Sequence, residues 1–289
     1  MQTRFRVKPL LLGLLFALLL QLFILWIVWS NIALQLTAYT VTSERLPAAF
    51  DGYRIAHVSD LHNAEMGENN ADLLAMLKEA SPDLIAITGD IIDCDRTDTA
   101  VAIAFVQEAV KIAPCYYVTG NHEAWVGTEV YNTMEQTFTA LGVTVLHDQA
   151  ILLSLNGETI TLAGIDDPTF TRKQKGGNGL PITPQDLSNL YPSDSFRILL
   201  FHRPEYFDTY VDADIDLVLS GHVHGGQFRL PFLGGLYGPD QGILPAYDGG
   251  LYTEGGTNMI VSRGIGNSGF PIRFNNRPNV VLIELACAP

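Results

Sequence analysis

Hydrophobic residues fill the beginning of the chain almost without interruption. No charged residue lies between residues 9 and 43, and residues 10–29 are nearly all apolar. About twenty such residues are enough for a helix to cross a hydrocarbon core of roughly 30 Å. Trp26 and Trp29 lie at the far end of this stretch, where aromatic rings favour the membrane–water boundary. The pattern therefore predicts one transmembrane helix at residues 9–30.

A cleaved signal peptide also combines a basic start with an apolar run. Here the run is longer than the usual apolar core of such a peptide, and no small-residue cleavage site follows it, so a retained signal anchor is favoured. Arg4, Arg6 and Lys8 precede the run, whereas Arg45 is the first basic residue after it. The positive-inside rule then predicts that residues 1–8 are cytoplasmic and that the chain beyond this single span is extracytoplasmic.

Apolar runs and amphipathic segments alternate through the rest of the chain, which is typical of an α/β domain. Residues 31–50 are predicted to be a tether that runs into a first strand, and residues 51–289 one domain. The predicted strands are residues 53–58, 84–88, 116–119, 143–146, 151–155, 159–163, 197–201, 217–220, 259–262 and 280–284. The predicted helices are residues 69–80, 99–112, a segment ending at Gly142, and residues 185–190. Asn156-Gly157 predicts a hairpin turn.

Composition and charge narrow the class of protein. The chain has 289 residues, of which 47% are hydrophobic, and this apolar content excludes intrinsic disorder. Residues 44–289 carry 31 acidic and 14 basic side chains, a net charge of −17. Such a surface repels nucleic acid backbones, so general nucleic acid binding is not expected. Three cysteines without a C-x-x-C pair do not form a disulfide framework.

Polar motifs follow five of the predicted strands at the point where each strand ends. The motifs are Asp60-Leu61-His62, Gly89-Asp90, Gly120-Asn121-His122-Glu123, His202, and Gly221-His222-Val223-His224. Because the carboxyl ends of strands in an open α/β sheet are where sites are assembled, we expect these side chains to meet at one edge.

The residue types at that edge indicate metal binding. Carboxylate, amide and imidazole groups together suit manganese, iron or zinc. Two metals about 3.5–4 Å apart need a shared ligand, and Asp90, a single Asp after a strand, is a natural bridge. His57 and His147 fall outside the pattern and are interpreted as structural histidines.

The order D-x-H, G-D-x-x-D, G-N-H-E, H, G-H-x-H resembles the calcineurin-like metallophosphoesterases. The resemblance covers about residues 53–285, and the flanking sequence is similar to a bacterial membrane-associated or exported branch. It implies an α/β/β/α sandwich of two mixed sheets, and therefore a metallophosphoesterase catalytic domain at residues 51–289. It also implies two divalent ions per chain, Mn²⁺, Fe²⁺ or Zn²⁺, and attack on phosphorus by a hydroxide that bridges them.

The resemblance also implies a role for each site residue. The first metal would be held by Asp60, His62, Asp90 and His224, and the second by Asp90, Asn121, His202 and His222. His122 would lie beside the leaving group as a proton donor or electrostatic stabiliser, and Asp93 occupies the position of an Asp that orients this histidine in phosphoprotein phosphatases.

The sequence departs from the phosphoprotein phosphatases after Asp93, where Cys94-Asp95 replaces Arg-Gly, so protein substrates are disfavoured. We expect a membrane-anchored hydrolase of phosphodiester or pyrophosphate bonds, whose phosphoester substrate is lipid-linked or part of the cell envelope. Four arginines lie in or near predicted loops: Arg203, Arg229, Arg263 and Arg273. For each of them, a phosphate ligand and a solvated surface residue are equally good interpretations. Two alternatives stay open: a cytoplasm-facing pyrophosphatase of the UDP-2,3-diacylglucosamine type, and a catalytically silent metal-binding module.

Overall fold

Two six-stranded mixed sheets lie face to face between two layers of helices. The structure is a computed structural model and describes residues 9–177, 182–191 and 195–288. The first sheet has the strand order β1-β16-β2-β3-β4-β5, and the second has the order β14-β15-β9-β8-β7-β6. The predicted α/β/β/α sandwich is confirmed.

The helices and strands have the following bounds. The helices are α1 (Pro9–Ile32), α2 (Ala71–Ala80), α3 (Thr99–Ala109), α4 (Asn121–Trp125), α5 (Thr128–Leu141), α6 (Pro168–Gln174), α7 (Pro184–Leu190) and α8 (Phe207–Asp212). The strands are β1 (Gln35–Ser43), β2 (Arg54–Val58), β3 (Leu84–Thr88), β4 (Cys115–Val118), β5 (Thr144–Val145), β6 (Gln149–Leu155), β7 (Glu158–Gly164), β8 (Arg197–Leu200), β9 (Leu217–Ser220), β10 (Arg229–Leu230), β11 (Gly234–Gly235), β12 (Tyr237–Gly238), β13 (Gly242–Ile243), β14 (Gly250–Glu254), β15 (Thr257–Val261) and β16 (Asn279–Cys287).

Three hydrophobic layers hold the sandwich together. The central layer lies between the sheets, where Ile55 and Leu84 of the first sheet pack with Leu219 of the second. Apolar faces of α2, α3 and α5 cover the first sheet, and α7 and α8 cover the second. Because β2, β3, β8 and β9 are buried on both faces, they read in the sequence as short continuous apolar runs. Rigid, fully buried strands therefore carry the polar residues that follow them.

The predicted helix end at Gly142 and the predicted hairpin turn at Asn156-Gly157 are both confirmed. Gly142 ends α5 with a left-handed φ of 98°, a conformation that glycine adopts without a Cβ penalty. Asn156 and Gly157 have φ values of 50° and 88°, and they join β6 to β7 as a tight hairpin.

The segment predicted as a tether contains a paired strand. Strand β1 lies parallel to β16 through nine residue pairs, from Gln35 opposite Asn279 to Ser43 opposite Cys287. Its side chains alternate between half-buried and exposed, as expected of an edge strand that covers the core on one face. The first sheet therefore begins at Gln35, two residues after α1, and the predicted cytoplasmic start, residues 1–8, lies outside the described residues.

Helix α1 is attached to the folded domain through its C-terminal turn. The side-chain amide of Asn31 donates to the carbonyl of Arg273 (2.9 Å), and its oxygen accepts from the backbone N–H of Arg273 (2.7 Å). The guanidinium of Arg277 lies 4.7 Å from the ring centroid of Trp29. By length and composition α1 can cross a membrane, and these contacts fix the angle at which it leaves the domain.

His147 forms an ion-pair network outside the two clusters of metal-type residues. Its ring nitrogens lie 2.9 Å from Asp166 and 3.0 Å from Glu135. Although burial lowers it, hydrogen bonding to these carboxylates raises the pKa of His147 to about 9. The folded-state pKa therefore exceeds the unfolded one, so the charged form stabilises the fold below about pH 6.5, and this contribution is lost as the pH rises through 9.

We expect His147→Gln to lower the free energy of unfolding at pH 7 by at most about 3 kcal/mol. The difference from the wild type should shrink between pH 7 and pH 9, because the wild type loses its proton in that range. Urea unfolding of the detergent-solubilised protein at both pH values measures this. A difference that stays constant over the range would contradict the assignment of the charge to His147.

Candidate metal centre

Five strand ends bring the predicted residues to one edge of the sandwich. Asp60 follows β2, Asp90 follows β3, Asn121 follows β4, His202 follows β8, and the segment with His222 and His224 follows β9. Both sheets contribute, since β2, β3 and β4 belong to the first and β8 and β9 to the second. The sequence shows that each of these residues follows a strand, but it does not show that those of the first sheet meet those of the second. Their meeting depends on how the two sheets stack.

Asp60, His62, Asp90 and His224 form the first cluster, with one nitrogen or oxygen atom from each within 4.8 Å of the others. His62 Nε2 lies 3.1 Å from His224 Nε2 and 3.6 Å from Asp90 Oδ2. His224 Nε2 lies 3.5 Å from Asp60 Oδ1. Ligand atoms about 2.0–2.2 Å from one shared ion are separated by similar distances, so the cluster fits one divalent cation.

Asp90 also belongs to a second cluster, with His202 and His222. The Oδ2 atom of Asp90 lies 3.2 Å from His202 Nε2. Asn121 lines the same pocket wall as Asp90, and its buried Oδ1 has no hydrogen-bond partner among the described residues. A buried amide oxygen without a partner is costly, and an ion beside it would supply one. Asp90 is therefore the residue common to both clusters.

Burial makes these groups suited to a cation. Asp60 and Asp90 are both inaccessible to solvent, and burial chiefly raises the pKa of Asp60 to about 6. Burial also lowers the pKa of His62 to about 3, so its imidazole is neutral and keeps a lone pair. The neutral His62 imidazole beside the buried carboxylates of Asp60 and Asp90 matches the donor set of manganese, iron or zinc.

Five of these residues have left-handed backbones. Asp60, His62, Asp90, His222 and His224 have φ values of 52°, 45°, 50°, 72° and 48°. Such conformations cost about 1–3 kcal/mol each for residues with a side chain, and they cluster at functional sites. The left-handed backbone turns each side chain away from the direction of its strand and towards the edge where the clusters lie.

Glycines in the motifs permit the close approach of the strand ends. A Cβ on Gly120 would lie 2.2 Å from Asp90 Oδ1, and a Cβ on Gly221 would lie 1.9 Å from Ser59 Oγ. Both are far shorter than a van der Waals contact. The motif glycines are therefore needed so that Asp90 and Asp60 can sit against the neighbouring loops.

Glu123, the last residue of the G-N-H-E motif, organises the loop and lies outside the clusters. Its carboxylate accepts from the backbone N–H groups of Asp90 (2.9 Å), Ile91 (2.9 Å) and Gly120 (2.7 Å). It is fully buried. Three bonds from one carboxylate hold the Asp90 loop against the Gly120 loop.

His122 faces the pocket, and its proton position follows from its contacts. The Nδ1 atom accepts from the backbone N–H of Cys94 (3.1 Å), and Nε2 lies 3.0 Å from Ser268 Oγ. Because Nδ1 accepts, the neutral ring carries its proton on Nε2, on the side of Ser268. A proton at this position is available to a group bound in the pocket.

The Nδ1 atom of His122 accepts from the backbone N–H of Cys94, whereas the resemblance implied that Asp93 orients this histidine. The Asp93 carboxylate accepts from the backbone N–H groups of Asp95 (2.9 Å) and Arg96 (3.1 Å), since the loop after Asp93 curls back over it. Its Oδ2 lies 3.8 Å from His62 Nδ1. Asp93 therefore lies next to His62.

A pocket of about 640 Å³ opens over both clusters. Asp90, Asn121, His122, His222 and His224 form its floor, and Trp125 and Phe270 line its sides. This volume is in the range of small-molecule sites.

The sequence profile of the calcineurin-like phosphoesterase family matches residues 53–226, which contain all the clustered residues. The chain belongs to this family. It is therefore a metal-dependent hydrolase of phosphoric esters. The uncharacterized metallophosphoesterase YkuE of Bacillus subtilis is 34% identical over 261 residues, 87% of this chain and 85% of that protein.

Two further relatives of this phosphoesterase have names that state an activity or a membrane association. The phosphodiesterase YaeI of Escherichia coli is 31% identical over 81% of this chain and 82% of that protein. The transmembrane protein with metallophosphoesterase domain of Bos taurus is 30% identical over 88% of this chain and 57% of that protein. Among solved structures, the NAD nucleotidase of Haemophilus influenzae has a TM-score of 0.50 at 19% identity, covering 74% of this chain and 45% of that chain, which shows the shared fold.

Of the loop arginines considered in the sequence, Arg203 alone lines the pocket of the phosphoesterase. It is nearly buried and pairs with Asp167, Asp240 and Glu205. Of the other three, Arg229 pairs with Asp248, Arg263 donates to Gln35, and the fully buried Arg273 lies 3.4 Å from His224 Nδ1.

Sequence reasoning missed Arg172, an exposed residue of α6 that lines the pocket. The prolines and glycines of residues 167–193 suggested loops there. Asp167 accepts from the N–H of Thr169 (2.7 Å), and Pro168 occupies the first turn. This cap followed by proline is a helix-start signal that could have revealed α6.

Asp240 is a second residue that the motifs did not reveal. Its Oδ2 lies 3.0 Å from His222 Nε2 and also contacts Arg203. Metal-binding histidines commonly donate their other ring N–H to a carboxylate, which fixes the ring. The partner lies eighteen positions after His222, in a loop without a motif, so no local signal marks it.

Proposed function

We propose that this chain is a dinuclear-metal phosphohydrolase that cleaves phosphodiester or pyrophosphate bonds. The position of Asp90 carries the proposal, because its Oδ2 lies 3.6 Å from His62 Nε2 and 3.2 Å from His202 Nε2, in separate clusters. Asp60, His62, Asp90 and His224 would hold one ion, and Asp90, Asn121, His202 and His222 the other. When bound, two such ions supply an acidified water as nucleophile and neutralise charge on the phosphoryl oxygens. The donor set suits Mn²⁺, Fe²⁺ or Zn²⁺.

His122 would act on the leaving group. Its Nε2 proton faces the pocket, held there by the Cys94 amide on Nδ1 and by Ser268 Oγ on Nε2. Donation of this proton to the departing oxygen prevents a costly alkoxide from forming. Asp93, 3.8 Å from His62 Nδ1, would position His62.

Two arginines would orient the phosphate. Arg172 lies exposed on α6 at the pocket wall, whereas Arg203 is held rigidly by Asp167 and Asp240. A flexible and a fixed guanidinium on one wall can bind non-bridging oxygens while His122 faces the leaving group.

Turnover of a small substrate panel tests the proposed reaction. We expect bis-p-nitrophenyl phosphate and a nucleotide sugar to be hydrolysed faster than p-nitrophenyl phosphate in the presence of Mn²⁺, Zn²⁺ or Fe²⁺. Removal of the ions with a chelator should abolish turnover, and their return should restore it. Faster turnover of the monoester than of the diesters would contradict the diesterase assignment. Metal binding without turnover of any ester would favour the silent module.

We expect Asp240→Asn to weaken metal binding at the second site by about 10–100-fold, because His222 loses the carboxylate that fixes its ring. Competition with a chromogenic chelator measures the two dissociation constants. Asp212→Asn, an identical change at an exposed residue of α8, should leave both constants unaltered. Equal weakening of both sites by Asp240→Asn would assign it a general structural role.

The anchor and its orientation complete the proposal. Helix α1 is long and apolar enough to cross a membrane, and its side chains are largely exposed rather than packed in the protein. Arg4, Arg6 and Lys8 precede it, so the positive-inside rule favours an extracytoplasmic catalytic domain. The substrate would then be a cell-envelope or lipid-linked phosphoester.

Protease added to intact spheroplasts of an expressing bacterium tests the orientation. We expect the domain after α1 to be digested without lysis, while a cytoplasmic marker protein survives. Protection of the domain until the membrane is broken would reverse the orientation. It would also favour a cytoplasm-facing pyrophosphatase of the UDP-2,3-diacylglucosamine type.

A further inference from the structure

Large apolar side chains project from the loops around the pocket mouth. We define the apolar rim as Phe232, Leu233, Tyr237, Ile243, Leu244 and Phe270. Phe232 is fully exposed, and Ile243 is 81% exposed. Tyr237 and Phe270 also line the pocket, so the rim reaches the pocket at these two residues. Exposed apolar patches of this kind mark interaction sites.

The loops that carry the rim lack free charge, although the domain as a whole is strongly acidic. Segments 228–247 and 264–276 contain three charged residues, Arg229, Asp240 and Arg273. Arg229 pairs with Asp248, Asp240 pairs with Arg203, and Arg273 is buried. The rim can therefore enter an apolar medium without stranding a charge, which is costly when unpaired.

An aromatic chain of contacts joins the rim to helix α1. The ring of Phe274 lies 4.8 Å from that of Trp26 and 6.3 Å from that of Phe23, measured between centroids. Phe228 contacts Phe274 at 6.4 Å and Phe270 of the rim at 5.3 Å. A continuous run of aromatic contacts therefore joins Phe270 of the rim to helix α1.

The position along α1 at which Phe274 makes contact sets how deep Phe274 would lie in a bilayer. Phe23 precedes the end of α1 at Ile32 by about 13 Å at 1.5 Å per residue. The hydrogen bonds between Asn31 and Arg273 keep α1 from swinging away. If α1 spans the bilayer, Phe274 lies at the depth of the lipid that surrounds Phe23, and the adjoining loops reach the headgroup region.

We propose that the apolar rim inserts into the interface of the bilayer that α1 spans, so that the pocket opens at the level of the lipid headgroups. This inference rests on the proposed function for the anchor and the reaction. It deepens that function, because a pocket opening there receives the phosphodiester or pyrophosphate of a membrane lipid directly. The acyl chains stay in the bilayer while the phosphate reaches the metal clusters.

Spin-label depth measurements on the full chain in phosphatidylcholine–phosphatidylglycerol nanodiscs test the insertion. Cys94 and Cys287 are replaced by Ser, and buried Cys115 is retained. Single labels are then placed at Phe232→Cys, at Phe16→Cys in the middle of α1, and at Leu152→Cys. Leu152 is an exposed apolar residue on the edge strand β6 and serves as the matched control. The readout is the accessibility of each label to oxygen relative to a water-soluble nickel chelate.

We expect the labels at positions 16 and 232 to favour oxygen and the label at 152 to favour the nickel chelate. A lipid-buried label at 16 with a water-exposed label at 232 would overturn the inserted rim and leave the anchor intact. Water exposure at both positions would overturn both. If the label at 232 becomes buried only when a protein partner is added, the rim is a protein-binding surface and the proposal is wrong.

A kinetic comparison tests the substrate class. Hexadecyl and ethyl p-nitrophenyl phosphate share a leaving group but differ in their affinity for lipid. The double variant Phe232→Ser/Ile243→Ser should lose at least about tenfold in kcat/KM for the hexadecyl ester in nanodiscs, because its rim no longer holds the pocket at the interface. Turnover of the soluble ethyl ester should not change. Equal rates on the hexadecyl ester for variant and wild type would contradict the lipid substrate, whereas failure of the wild type on both esters would contradict the proposed reaction itself.

Discussion

Asp90→Asn is expected to remove both metal ions together and to lower turnover by about 10³-fold or more. The wild-type carboxylate lies between the two clusters, and an amide can bridge two cations only weakly because it carries no charge. Loss of several kcal/mol of charge stabilisation corresponds to a rate loss of this size. Metal analysis by mass spectrometry after purification without chelator should fall from about two equivalents to near zero.

Variants on either side of Asp90 provide the matched comparison. His224→Ala should release the ion of the first cluster alone, and Asn121→Ala should weaken the second alone, because each contacts one cluster. If Asp90→Asn lost a single ion, Asp90 would belong to one site and the bridge would be wrong. Circular dichroism should show that all three variants are folded, since Asp90 supports the loop through its backbone bonds to Glu123.

His122→Gln should keep both ions and lose turnover by about 10²–10⁴-fold on esters with poor leaving groups. The side chain contacts Cys94 and Ser268, and although a ring nitrogen lies within 4.8 Å of ligand atoms of His62 and Asp93, it belongs to neither of the two clusters that share Asp90. The loss should be smaller for p-nitrophenolate, which departs without a proton. A series of aryl phosphodiesters whose phenols have rising pKa values measures this as a steeper dependence of rate on leaving group.

Ser268→Ala is the control for this interpretation. It removes the contact to Nε2 but leaves the Cys94 amide on Nδ1, so we expect a modest loss that does not depend on the leaving group. If His122→Gln loses the same factor across the whole series, His122 stabilises charge without transferring a proton. Loss of metal from His122→Gln would make it a ligand instead.

The meeting of these side chains at one edge was predictable from the sequence, because they directly follow buried strands. An apolar run that ends in a polar motif shows both the strand and the edge at which it ends, as at Asp60, Asp90 and His202. The division of the ligands between two ions depended on the family resemblance, and the relative placement of the two clusters depends on how the two sheets stack. No pattern within one strand contains that information.

Residues that support the site were harder to predict, since their role is defined by contacts distant in sequence. Asp240 reaches His222 from a loop without periodicity, and Arg172 lies on a short helix hidden among prolines and glycines. The left-handed backbones of the cluster residues are likewise imposed by the tertiary structure. The extent of strand β1 within residues 31–50 was not predicted. An edge strand whose side chains alternate between exposed and buried positions has few consecutive apolar residues.

Anomalous diffraction from crystals grown with Mn²⁺ or Zn²⁺ would show directly whether Asp90 bridges two ions. We expect two peaks, one within coordination distance of His62 and His224 and the other of Asn121 and His202, with Asp90 contacting both. A single peak, or two peaks that share no carboxylate, in crystals of protein that turns over phosphodiesters, would contradict a dinuclear centre bridged by Asp90.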